Sequence, residues 1–147
     1  MIDFMEIAKK QAILAMEKGE IPVGAVIVKD GVVIAKAHNL KETLNDTTAH
    51  AEILAIRKAS KFLGDWRLNG TEMYVTLEPC PMCASAIVQS RISKLYIGTF
   101  NKDMGACGST INILDNRRLN SFVNVKWTYD DECSDLLVEF FDKRRKQ

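Results

Sequence analysis

Two short segments, His50-Ala51-Glu52 and Pro79-Cys80-Pro81-Met82-Cys83, restrict what this chain can fold into more than any other feature. They carry one imidazole and two thiols about thirty residues apart, and any fold that uses them together must bring both segments to one point. Such donors suit zinc, which is closed by four protein ligands in structural sites and keeps three, with one position open, in catalytic ones. His50, Cys80 and Cys83 make three. If a helix opens at the second segment, Cys80 and Cys83 share a face of it at i and i+3. Unpaired N–H groups at a helix N-terminus also favour thiolates. On a helix of ~100° per residue, Glu52 projects about 200° from His50, which suits a role beside the metal better than ligation. Taken singly, Cys-x-x-Cys is more often a structural zinc knuckle or a redox pair, and His-x-Glu is commonplace. A structural zinc would need a fourth ligand, for which the thiol candidates are Cys107 and Cys133.

The 147 residues suit one domain, 1–147, able to bury most of its apolar surface without disulfides. Apolar (47%) and charged (27%) fractions are those of an ordinary globular chain. No apolar run approaches the roughly 18–20 residues that span a bilayer, so no membrane partner is expected. Met1 to Glu6 lacks the basic start and small-residue cleavage site of a signal peptide, and the expected compartment is the cytoplasm. There the four cysteines stay reduced, Cys107 and Cys133 as free, partly buried side chains. A net charge of +1 is low for a protein that wraps long duplexes, but it leaves room for a contact made by a local patch. Basic residues gather at Arg117-Arg118 and at Lys143-Arg144-Arg145-Lys146. The second group reads equally as cations at a helix C-terminus and as a nucleic-acid contact, and both can hold.

Helical and extended patterns alternate, which points to an α/β layer architecture. Residues 3–18 have helical spacing with Gly19 as a stop, and Val23 to Val28 is a continuous apolar run suited to a buried strand. Asp30-Gly31 signals a hairpin into Val32–Ala35, making the first two strands antiparallel. A loop over 38–48 precedes a helix from Ala49 to about Phe62, capped by Thr47 or Thr48 and ended by Gly64. Met73–Leu77 reads as a strand, and Pro81 opens a helix to about Ser90. Leu95–Gly98 and Val123–Trp127 read as further strands. They are separated by a polar stretch, 100–121, with a short helix around Ile111–Leu114. A last helix spans about 130–145, with Leu136, Leu137, Phe140 and Phe141 on one face.

The order H-x-E…P-C-x-x-C is the signature of zinc-dependent nucleobase deaminases. Beyond it, the chain resembles the bacterial tRNA-specific adenosine deaminases over nearly its whole length. The likeness runs through Ile21–Val26, Asn39, Thr48–Ile53, Tyr74–Cys80, Met82–Ala84, Ser90–Ile92, Gly105–Ser109 and Phe140-Phe141 with Arg144-Arg145. The metal motif alone also admits cytosine, guanine and deoxycytidylate deaminases; the Gly105–Ser109 loop and the last helix narrow the choice. The resemblance implies a cytidine deaminase-like three-layer α/β/α sandwich around a five-stranded mixed sheet, a homodimer, and one Zn2+ per subunit. It implies that His50, Cys80 and Cys83 hold the ion and that Glu52 moves protons. The substrate it implies is the wobble adenosine of a tRNA anticodon stem-loop, converted to inosine with release of ammonia. Asn39 matches the residue that hydrogen-bonds the flipped adenine, although an Asn there also suits a loop turn. The chain departs from the family at Thr47, where Pro is common, and at Asn101, where Asp is usual in a loop approaching the substrate backbone. An amide accepts from a ribose 2′-hydroxyl less strongly than a carboxylate, so weaker discrimination against DNA is expected, although Asn101 reads equally as an ordinary polar loop residue. Two other readings stand beside this one: a deaminase of a free base or nucleotide (guanine or cytosine), and a zinc-bearing RNA-binding protein without catalysis.

Overall fold

The apolar run at Val23–Val28 becomes β1 (Gly24–Lys29), and its side chains alternate between two cores. Ala25 and Ile27 join the core beneath α2 (Ala51–Leu63) and α3 (Pro81–Gln89). Val26 and Val28 face the other way, onto Met5 and Ala8 of α1 (Phe4–Glu17) and Cys133 of α4 (Asp131–Arg145). A strand covered on both faces has no solvent side, which is why its sequence shows no polar alternation. The chain described here, residues 1–119 and 121–146, is a computed structural model; Asn120, in the stretch read as polar loop, lies outside the described residues.

The remaining sheet strands are β2 (Val32–His38), β3 (Thr71–Leu77), β4 (Lys94–Thr99) and, after two short strands, β7 (Asn124–Trp127). Their order is β2-β1-β3-β4-β7, with β1 antiparallel to β2 and β3, and β3, β4 and β7 parallel. This is the expected three-layer α/β/α arrangement on a five-stranded mixed sheet. The β1–β2 hairpin turns through Asp30 (φ 52°) and Gly31 (φ 74°), the pair of positive φ values that a type I′ turn demands. Gly24 has a different reason: a Cβ there would collide with the Ala8 carbonyl, so α1 could not lie this close to β1. The outer layer is tied by Lys9 of α1, which is buried and pairs with Asp130, the N-cap of α4, at 2.9 Å.

Two local expectations fail. Neither Thr47 nor Thr48 caps α2. The Thr48 hydroxyl and amide both donate to Asp46, at 2.7 and 2.8 Å, and the helix begins at Ala51 with His50 as its N-cap. The helix expected around Ile111–Leu114 is a bent loop with one isolated bridge instead. Cys107 bridges Asn112, the Gly108 amide donates to Ile111 and the Ile113 amide to Ala106. Backbone pairing within the 105–113 loop has overridden a weak helical preference. Beyond it, β5 (Asp115–Asn116) and β6 (Ser121–Phe122) form a two-stranded ladder around a 3-10 turn at Arg117–Leu119.

Because β3 and β4 are parallel, both finish at the same end of the sheet. Glu78, Pro79 and Cys80 leave one, Phe100 and Asn101 the other, and the Glu78 amide still donates to Thr99. The functional residues gather at this end.

Candidate active site

Two helix N-termini supply the three metal donors. His50 is the N-cap of α2 and Cys80 the N-cap of α3, and neither side chain caps its own helix. Cys83 lies in the first turn of α3, after Pro81, whose fixed φ and missing N–H suit that position. The spacing therefore works, with one change from the sequence reading: His50 and Cys80 stand just outside their helices. The His50 Nδ1 atom is 3.7 Å from the Cys80 sulfur and 3.5 Å from the Cys83 sulfur. Ligand atoms on a tetrahedral zinc with bonds of ~2.0–2.3 Å lie about 3.6–3.8 Å apart, so the three donors fit that ion. Among the described residues, this is the group of His, Cys, Asp and Glu side chains close enough to hold a metal. Cys107 and Cys133, buried elsewhere, are not in it.

The electrostatics agree. A hydrogen bond from the Cys83 thiol, reinforced by His50, holds Cys80 down to about 4, and the same shared proton pushes Cys83 up. The pair thus carries one negative charge and one proton that a cation would displace. The hydrogen bond to Cys80 raises His50.

Glu52, at the second position of α2, is 4% exposed, and burial pushes its carboxyl up to about 7. It shares with His50 and Cys80 a cavity of about 270 Å³, closed by Asn39, Glu78, Asn101 and Met104. A larger groove of about 530 Å³ runs between α2 and α3 past Trp66, but it contains neither the donors nor Glu52. The smaller cavity is the one with chemistry.

Asn39 and Asn101 both line this cavity, and both have work to do in the protein. Asn39 is buried; its amide donates to the Ile21 carbonyl at 3.3 Å and its oxygen accepts from the Lys41 amide at 3.1 Å. Each group keeps one further bond free, since an amide side chain offers two donors and two lone pairs. The Asn101 side-chain oxygen accepts from the Met104 amide, shaping the turn that Gly105 closes onto the Asn101 carbonyl. Arg144 is partly committed as well, donating to the Gly19 carbonyl at 2.8 Å and lying over the Phe140 ring.

Sequence reasoning missed Glu78. Buried where β3 ends, its carboxylate accepts from the amides of Asn101, Cys107 and Ser109 at 3.0–3.1 Å, and from the Ser109 hydroxyl. One side chain thereby fastens the whole 101–109 wall of the cavity. A Cβ on Gly105 would collide with that carboxyl. The available signal was an acid directly between an apolar strand and Pro79-Cys80, where a solvated carboxylate is out of place.

Comparison with known proteins agrees with this geometry. Residues 1–99 match the model of the cytidine and deoxycytidylate deaminase zinc-binding region. A tRNA-specific adenosine deaminase of Bacillus subtilis is 48% identical over 145 residues, covering 98% of this chain and 90% of that protein. A solved tRNA:A34 deaminase, studied for A-to-I editing at the wobble position, superposes with a TM-score of 0.88. It is 44% identical, over 91% of this chain and 98% of that one. A guanine deaminase structure from Bacillus subtilis is more distant, at 33% identity and a TM-score of 0.64, over 97% of this chain and 92% of that one.

Proposed function

Because this chain belongs to the cytidine and deoxycytidylate deaminase zinc-binding family, we propose that it is a zinc-dependent hydrolase converting the wobble adenosine of a tRNA anticodon to inosine. The observation that carries the reading is the grouping of His50, Cys80 and Cys83 at metal-binding distance, with His50 and Cys80 sharing one cavity with buried Glu52. The higher identity to tRNA adenosine deaminases favours adenosine over guanine.

His50, through Nδ1, and the two thiolates would hold one zinc per chain. Bound there by three protein ligands, zinc would supply Lewis-acid chemistry, lowering the pKa of a water toward neutrality. Glu52 takes one proton from the attacking water and passes it to the ring nitrogen of the base; it then takes the second proton from the hydroxyl added to the ring carbon and gives it to the amine, which leaves as ammonia as the C–N bond breaks. One water is consumed and one ammonia released, so the carboxylate ends the turnover as it began. Asn39 turns its remaining donor and acceptor to the base edge, while its bonds to Ile21 and Lys41 hold it still. The flipped base lies in the cavity, and recognition falls on the unpaired anticodon stem-loop rather than on many phosphates, consistent with a net charge of +1. The working unit is a homodimer of the 1–147 domain in the cytoplasm, where tRNA is the substrate; no described helix is long and apolar enough to cross a membrane.

Two experiments bear on the parts. Metal analysis of the Cys107→Ser/Cys133→Ser double variant is expected to return one zinc per chain, as for the wild type; loss of metal would revive a four-ligand structural site. Asn101→Asp restores a carboxylate where an amide now stands and is expected to raise the RNA-over-DNA activity ratio on matched hairpins about fivefold, the difference between a charged and a neutral hydrogen bond. Equal ratios would remove Asn101 from substrate selection. Inosine formation in an anticodon stem-loop tests the reaction itself.

A further inference from the structure

At the end of the sheet where β4 and β7 finish, three aromatic rings form a cluster, two of them largely in solvent. Phe100, at the end of β4, lies 4.9 Å from Trp127 and 5.6 Å from Tyr129, centroid to centroid; Trp127 and Tyr129 stack with 21° between their planes. Trp127 is half-buried and packs against the core, with its indole edge reaching Gly108. Phe100 and Tyr129 are 47% and 63% exposed, so neither ring contributes much to burial.

Tyr129 also holds a backbone conformation that bulky residues avoid. Its φ is 51°, in the left-handed region, where only Gly, Asn and Asp are at ease. The flanking backbone is pinned: the Thr128 amide donates to Ile97 and the Asp130 amide to Gly98, at 2.9 and 2.7 Å. A tyrosine at such a position, with its ring in solvent, calls for a use. The cluster does not line the cavity, but it neighbours it along the chain: Phe100 is followed directly by Asn101, which with Met104 lines the cavity wall. Its charge is balanced, Lys102 being followed by Asp103, so the surface offers flat rings rather than a phosphate site.

We infer that Phe100, Trp127 and Tyr129 form a stacking platform for an unpaired base of the RNA loop next to the target nucleotide. Every base has a π-face, so such a platform tolerates different neighbours while holding the strand in register with the cavity. The inference rests on the RNA reading given above, and its test is separable from that reading.

Tyr129→Asn removes the ring and leaves a residue that accepts the positive φ; Phe100→Leu keeps apolar bulk without a π-face. With zinc-loaded full chain and an anticodon stem-loop, each variant is expected to raise KM about tenfold with kcat little changed. Stem-loops with an abasic nucleotide beside the target should show the same loss for wild type at one position and no further loss there for Tyr129→Asn. Unchanged KM, or penalties that multiply at every position, would overturn the platform. A fall in native mass in the variants would do so too, by assigning the rings to a second copy of this chain. Fluorescence quenching of 2-aminopurine placed beside the target adenosine reads the stack without turnover. Quenching by wild type but not by Tyr129→Asn is therefore expected even from a chain that makes no inosine, and its absence would overturn the platform whatever the reaction proves to be.

Discussion

Glu52→Gln is expected to keep its zinc and lose inosine formation by about 10²- to 10⁴-fold, the usual contribution of a positioned acid–base group. Gln matches the size of Glu, so the cavity and the three donors on Cys80, Cys83 and His50 stay in place, and metal content separates the loss of chemistry from the loss of the site. The substitution has a second consequence, for stability. Burial pushes the Glu52 carboxyl up to about 7, above its ordinary 4.5, so the metal-free folded chain holds this proton more tightly than the unfolded chain does. A carboxyl shifted upward destabilises the fold progressively as pH rises from about 4.5 through about 7. Gln cannot ionise and escapes that cost. Metal-free Glu52→Gln is therefore expected to melt higher than metal-free wild type above pH 7 and no higher near pH 4, the pattern of a group placed for function at the expense of stability. Turnover within tenfold of wild type, or loss of zinc, would contradict the role assigned to Glu52.

Glu78→Ala is expected to cost about 3–5 kcal/mol, because it strands one buried donor and three part-buried ones at once. Three amides and a hydroxyl, all from 101–109, converge on this one carboxylate. For a chain of this size the melting temperature should fall by about 6–20 °C, at roughly 2–4 °C per kcal/mol. Activity should fall too, since Asn101 and Met104 lose their place while the metal donors, held by α2 and α3, keep theirs. A melting temperature within about 2 °C of wild type would mean that the loop is held by something else.

What was legible in the sequence had its information in residue types. An imidazole, two thiols and a carboxylate name a chemistry before any fold is known, and the Val23–Val28 run announces a strand with no wet face. What was not legible depended on which of several partners wins, near or far along the chain. Glu78 finds its donors 23 to 31 residues away, and nothing local marks it as an anchor. Thr48 has the identity of a helix cap, yet Asp46 two residues back competes for it and wins. Residues 111–114 have helical content, but Ala106 and Gly108 offer backbone partners that only the folded loop presents. Asn39 holds its turn through Ile21 and Lys41 and also lines the cavity, so the turn reading is met while a bond to the base remains part of the proposal.

The most direct test of the central claim is single-turnover assay of the zinc-loaded chain on an anticodon stem-loop with a wobble adenosine, run beside free guanine and free cytosine. Inosine in the stem-loop, with no ammonia from the free bases, is the expected result. Ammonia from guanine or cytosine with the stem-loop adenosine untouched would keep the zinc chemistry and contradict the assignment of its substrate.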